Sequence, residues 1–171
     1  IVLVMEGKDS YKQIIAQSSG YFQNKFGHFS YSDLIGKSLG SKINTISKCK
    51  KKITGFVTVV DFIPALWEKA IDRLTQILFN PDISLILGLL NIRNDSIVLE
   101  SGTGSGCLSI NISNCLNSNF GHLYTFEFNK ERADKLKQMF KDLNLDKKIT
   151  VTNQDVVECG FHLDRESIRT E

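Results

Sequence analysis

Ser96-Ile97-Val98-Leu99-Glu100-Ser101-Gly102-Thr103-Gly104-Ser105-Gly106 is the stretch whose reading decides the fold. A short apolar run ends in a carboxylate, three glycines alternate with small hydroxyl residues, and an amphipathic pattern follows. That order predicts a buried strand passing through a tight turn into a helix N-terminus. Glycine suits such a turn because a side chain would block a ligand from the backbone. The helix start offers unpaired N–H groups and a partial positive charge.

Working outward, Leu108, Ile112, Cys115 and Leu116 form a helical stripe after the glycines. His122 to Phe128 reads as a second strand that carries Glu127 near its end. Asn129 is placed to cap a long helix with a stripe of Leu136, Met139, Phe140 and Leu143. Ile149 to Thr152 is a third strand, with Asn153-Gln154-Asp155 as its carboxyl-end loop. The order β-α-β-α-β predicts a doubly wound, Rossmann-like parallel sheet with right-handed crossovers, truncated after its third strand. Upstream, Asn80-Pro81-Asp82 reads as a helix opening with Asn80 as N-cap, followed by Ile83, Ile86, Leu87 and Leu90 on one face.

Residues 1–62 carry strand signals and little helical period. Ile1 to Met5 ends in a turn cluster, Tyr11 to Gln17 is able to pair back, and Ile43–Ser47 with Ile53–Val60 predicts a hairpin around Lys48–Lys52. The expected organisation is a small, barrel-like β domain (1–62), a connecting segment (63–81) marked by Pro64-Ala65-Leu66-Trp67, and the N-terminal part of the α/β domain (82–171).

Hydrophobic content of 42% with 23% charged residues is that of an ordinary globular chain. The net charge of +2 gives no global field for nucleic acid, so any basic patch must be local. Lys37, Lys42 and the Lys48–Lys52 turn are the candidates for phosphate contact. Cys49, Cys107, Cys115 and Cys159 show no metal-ligand spacing and read as reduced intracellular thiols; no metal is expected. The apolar run Ile83 to Ile92 is too short to span a bilayer, and no membrane partner is expected.

Ligands of open parallel sheets sit beyond the carboxyl ends of the strands. Glu100, Glu127 and Asp155 all fall there. Glu127 is able to accept from both hydroxyls of a ribose, and Asp155 from an exocyclic adenine amine. The dinucleotide fingerprint G-x-G-x-x-G would need its third glycine at Cys107. The spacing present, G-x-G-x-G behind Glu100, favours S-adenosylmethionine (SAM) over NAD.

Several motifs, in order and spacing, resemble the catalytic subunits of the eukaryotic tRNA methyltransferases that modify N1 of the T-loop adenine. They are Gly36-Lys37-Ser38-Leu39-Gly40-Ser41-Lys42, Pro64-Ala65-Leu66-Trp67, Thr75-Gln76-Ile77-Leu78-Phe79, Glu100 to Gly106, Phe126-Glu127-Phe128 with Arg132-Ala133, and Gln154-Asp155-Val156. The resemblance implies a SAM site made by Leu78, Glu100, Gly102, Gly104, Ser105, Gly106, Cys107, Glu127, Arg132, Asp155 and Val156. It implies Gln76, Ile77, Phe79, Asn80, Gly55 and Phe56 as residues near the target base. It further implies tRNA as substrate, a non-catalytic paralogous subunit in a heterotetramer (alternatively a homotetramer), and a nuclear location (alternatively cytoplasmic). The family's catalytic aspartate, in an Asp-x-Pro-x-Pro-Trp context on the fourth strand, has no match after Asp155, so no catalytic residue is assigned. A small-molecule methyltransferase, a Rossmann oxidoreductase and a non-catalytic RNA-binding subunit are the competing readings.

Overall fold

A computed structural model describes residues 2–8, 10–46 and 55–163. The chain divides into two compact units, Ile1–Asp72 and Arg73–Glu171, so the boundary falls inside the segment expected to connect the domains.

In the first unit, β1 (Val2–Met5), β2 (Tyr11–Ile14), β5 (Lys42–Asn44) and β6 (Phe56–Val60) form an antiparallel sheet in the order β2-β1-β6-β5. β5 and β6 pair as expected, Asn44 opposite Phe56, while the Lys48–Lys52 tip and Cys49 lie outside the described residues. A second hairpin, β3 (Tyr21–Asn24) with β4 (Gly27–Ser30), was not expected from the sequence. It packs Phe22 on Phe29 with centroids 5.1 Å apart. Val4, Ile14, Leu34, Ile43, Val57 and Val59 complete that core. Among the described residues the sheet and the hairpin are separate ladders. The segment after β6 also holds a short helix, α1 (Pro64–Ala70), which has Pro64 in its first turn and buries Trp67 completely.

The second unit follows the predicted alternation. After α2 (Asn80–Leu89) come β7 (Ile97–Ser101), α3 (Cys107–Cys115), β8 (His122–Glu127), α4 (Lys130–Asp142), β9 (Ile149–Asn153) and the short α5 (Val156–Cys159). The three strands are parallel in the order β7-β8-β9, with Glu100 beside Thr125 and Glu127 beside Asn153. Asn129 caps α4 as expected, its side chain accepting from the Arg132 N–H at 3.0 Å. The buried face of α4 is Ala133, Leu136 and Phe140.

Three helix expectations change. Phe79, not Asn80, is the N-cap of α2, and no side chain caps that end; Asn80 is the first helical residue. Of the α2 stripe only Ile83 is fully buried, and Leu90 stands 63% exposed at the C-cap. In α3 burial runs nearly all round, taking in Ser109, Ile110, Asn111 and Ser113. Its polar residues turn inward because local bonds satisfy them: Asn111 donates to the Cys107 carbonyl at 2.9 Å and Ser113 to Ile110 at 2.8 Å. No helix among the described residues is long and apolar enough to cross a membrane.

Candidate functional site

The carboxyl ends of β7, β8 and β9 surround a cavity of about 440 Å³ that lies wholly within the second unit. Its floor is the glycine turn. Gly102 and Thr103 donate their N–H groups to the Phe126 carbonyl, at 2.8 and 3.3 Å, so the turn continues the β7–β8 ladder. Gly106 ends the turn in the left-handed region, φ +80°, and its N–H donates to the Thr103 carbonyl at 2.8 Å. An L side chain there is strained, which explains glycine at that position.

Glu127, at the tip of β8, is held from three directions. Gly104 N–H donates to Oε2 at 3.0 Å, while Asn129 N–H (2.9 Å) and Arg132 Nη2 (2.8 Å) donate to Oε1. Burial works to raise the pKa of this carboxyl. The hydrogen bond from Arg132, the two backbone N–H groups and the charge of Arg132 outweigh it and hold the pKa below the ordinary carboxylate range. Glu127 is therefore an anion whose acceptor sites are already partly committed to shaping the turn.

Glu100 behaves differently. Burial pushes its pKa up to about 6, against hydrogen bonds from Ser109 and Thr125. Ser109 Oγ donates to Oε2 at 2.6 Å, and the carboxyl is 8% exposed. Asp155, the third carboxylate, is the N-cap of α5. Its Oδ1 accepts from Val157 N–H at 2.9 Å and Glu158 N–H at 3.3 Å, which leaves Oδ2 for a further partner.

The segment before α2 forms the remaining wall. Thr75 N–H donates to Ser105 Oγ at 3.0 Å. A Cβ on Gly104 would come within 2.8 Å of Thr75 Oγ1, so only glycine lets the segment lie this close to the turn.

The structure thus gathers Leu78, Glu100, Gly102, Gly104, Ser105, Cys107, Glu127, Arg132, Asp155 and Val156 around one cavity, together with Gln76 and Ile77. Gly106 does not line it, because its Cβ direction points to Phe140, Leu136 and Met139 on the buried side of the turn. Phe79 and Asn80 also stand outside the lining: Phe79 caps α2 under the Arg73 guanidinium, 5.7 Å from its ring, and the Asn80 carbonyl accepts from Ser84. Gly55 and Phe56 belong to the first unit. There Gly55 makes room for Phe26, and the Lys42 ammonium sits 4.5 Å from the Phe56 ring centroid. Thr75, Ser101, Thr103, Phe126, Phe128 and Gln154, quoted in the motifs without a site role, also line the cavity, as do Leu108 and Val157. Among the described residues no cluster of three His, Cys, Asp or Glu side chains is placed to hold a metal ion.

A family profile described as "tRNA methyltransferase complex GCD14 subunit" matches residues 55–169. The chain is 41% identical over 159 residues to the tRNA (adenine(58)-N(1))-methyltransferase catalytic subunit of Dictyostelium discoideum, covering 93% of this chain and 48% of that one. It is 34% identical over 165 residues to the corresponding subunit of Kluyveromyces lactis, covering 95% and 39%. It therefore spans about half the length, or less, of these relatives. Among solved structures it is similar to a tRNA (m1A58) methyltransferase of Aquifex aeolicus, with a TM-score of 0.66, 26% identity and coverage of 92% of this chain and 57% of that one. It also shares its fold with a SAM-dependent O-methyltransferase of Thermotoga maritima, at a TM-score of 0.74 and 19% identity, covering 92% and 56%.

Proposed function

Because the chain belongs to the family described as tRNA methyltransferase complex GCD14 subunit, we propose that its cavity takes up SAM and that it serves methyl transfer to N1 of the T-loop adenine of tRNA. One observation carries the choice of ligand. Three carboxylates, Glu100, Glu127 and Asp155, reach the cavity against one guanidinium, Arg132, which is already paired with Glu127. A site with that charge balance favours a sulfonium cation and disfavours the diphosphate of a dinucleotide. The volume of about 440 Å³ lies in the range of small-molecule sites. At Gly102 an added Cβ would meet nothing within 4 Å, which leaves open space against the turn.

Bound here, SAM supplies an electrophilic methyl group on sulfur. The chain's own part is to bind and orient. Glu127 accepts from the ribose hydroxyls, Asp155 through Oδ2 from the adenine amine, and the Gln76–Leu78 wall separates the cofactor from the incoming base. Methyl transfer to a ring nitrogen is dominated by such positioning. The T-loop adenine must be drawn out of its tertiary contacts before it reaches the cavity. Phe79, Asn80, Gly55 and Phe56 enter as substrate contacts on the resemblance alone.

The wider organisation belongs to the same proposal. Ile97 and Leu99, on a sheet-edge strand, are 55% and 44% exposed, which supports a fuller doubly wound sheet continuing beyond β7. A barrel-like closure of the first unit, a non-catalytic paralogous partner in a heterotetramer and a nuclear location complete it. A net charge of +2 supports a partner that supplies tRNA affinity.

Titration calorimetry of the intact protein with SAM, S-adenosylhomocysteine and NAD tests the ligand assignment. SAM and S-adenosylhomocysteine are expected to bind and NAD is not. Uptake of NAD alone would overturn the assignment.

A further inference from the structure

A threonine in the middle of a fully covered strand needs a reason, because valine fills the same space without a hydroxyl to satisfy. Thr125, in β8, is 0% exposed and does not line the cavity. Its Oγ1 lies 2.7 Å from Thr103 Oγ1 in the glycine turn, and its hydroxyl also bonds the Glu100 carboxyl directly across the β7–β8 ladder. A hydroxyl carries one proton. Ionised Glu100 is acceptor only, so Thr125 gives its proton to Glu100, and Thr103 must then be the donor in the Thr103–Thr125 pair. Ser109, also 0% exposed, donates to Glu100 from the α3 side. The result is a directed relay, Thr103 to Thr125 to Glu100, that ends on a buried carboxylate and fixes the buried Thr103 side chain of the turn.

We infer that Thr125 is a positioning residue for the cofactor turn: through Thr103 it holds Gly102–Gly104 in the conformation that places the Gly104 N–H on Glu127. This inference rests on the SAM assignment for its affinity consequence. The backbone consequence stands without any ligand. Glu100 thereby becomes the anchor of the relay, and Ser109 belongs to a separate arm that reaches the same carboxylate without touching the turn.

Thr125→Val, Thr125→Ser and Ser109→Ala in the intact protein separate the two arms. The readouts are the affinity for SAM and for S-adenosylhomocysteine by calorimetry, and hydrogen exchange at the Gly102 and Thr103 amides without ligand. Thr125→Val is expected to weaken both affinities by about tenfold, the effect of one charge-assisted hydrogen bond. It is also expected to speed exchange at those two amides. Thr125→Ser, which keeps the hydroxyl, is expected to restore both. Ser109→Ala is expected to lower global stability while both readouts stay near wild type. If Thr125→Val leaves affinity and exchange unchanged, or if Ser109→Ala moves them equally, the relay does not position the turn. Should Thr125→Val not fold, Thr103→Val cuts the same contact at its other end, and exchange at Gly102 decides. A wild-type protein that takes up no SAM would sink the ligand assignment, while the exchange result would still judge the relay.

Discussion

Alanine substituted separately at Gly102 and at Gly106 separates backbone strain from packing in the turn. Both residues have φ in the left-handed region, +88° and +80°, so each alanine carries about 1–2 kcal/mol of strain. Their surroundings differ. The Cβ at Gly102 meets nothing within 4 Å, whereas the Cβ at Gly106 would sit 3.0 Å from Phe140 Cζ and 3.2 Å from both Leu136 Cδ2 and Met139 Cε. Phe140 and Leu136 are each 1% exposed and have little room to yield. Forcing a methyl into such a core costs about 1–3 kcal/mol more. Gly106→Ala should therefore destabilise the second unit by about 2–5 kcal/mol and Gly102→Ala by about 1–2 kcal/mol. The single tryptophan, Trp67, lies in the first unit and reports the wrong part of the molecule. Urea unfolding followed by hydrogen exchange at the β8 amides reads the second unit directly. Gly102→Ala should keep the fold yet lose affinity for SAM, its methyl entering the space above the turn. Equal stabilities for the two variants, within about 0.5 kcal/mol, would refute the packing argument.

Further outcomes follow from the same contacts. Glu100, raised to about 6 in the fold from 4.5, stabilises the native state below pH 4.5 relative to neutral pH, and this stability is lost as pH rises through 6. Acidification from pH 7.5 to 4.5 should thus gain about 2 kcal/mol from this group, and Glu100→Gln should flatten that slope in urea titrations at each pH. Glu127→Gln leaves one acceptor oxygen where the carboxylate offers two, so it should loosen the hold on either Gly104 or Asn129 and Arg132 and reduce SAM affinity at least about tenfold by calorimetry. Arg132→Met removes a bond and a charge that lower the Glu127 pKa, so a ¹³C-carboxyl titration should show Glu127 moving upward. Ser105→Ala removes the acceptor of Thr75 N–H and should speed exchange at that amide, with a cost of about 1 kcal/mol.

What could be read in the sequence was what local pattern encodes. The three parallel strands announce themselves because Val98, Leu123 and Val151 sit in short apolar runs bounded by turn residues, and Asn129 caps α4 through a contact three residues away. The β3–β4 hairpin stayed hidden because its turn is Lys25-Phe26, which carries none of the usual turn chemistry. Its turn signal comes from Asn24, whose Oδ1 accepts from Phe26 N–H at 2.8 Å. α1 is seven residues long, too short to show a helical period. In α3 the sequence shows only a narrow stripe because Ser109, Asn111 and Ser113 look like a wet face; Asn111 and Ser113 are buried on local bonds and Ser109 on its bond to Glu100.

The site divides along the same line. Glu100, Glu127 and Asp155 occupy equivalent places in sequence, each at or just beyond the end of a parallel strand, and nothing local distinguishes them. Their surroundings do. Glu100 faces two hydroxyls in a closed space and is pushed toward neutrality. Glu127 meets two backbone N–H groups and a guanidinium and stays charged. Asp155 spends one oxygen on the end of a helix. The role of Thr75 is hidden for the opposite reason: its partner, Ser105, lies thirty residues away and only the fold brings them together. Three like carboxylates can share one cavity because the fold gives each a different way to offset its charge: hydrogen bonds from the Ser109 and Thr125 hydroxyls for Glu100, pairing with Arg132 for Glu127, and helix capping for Asp155.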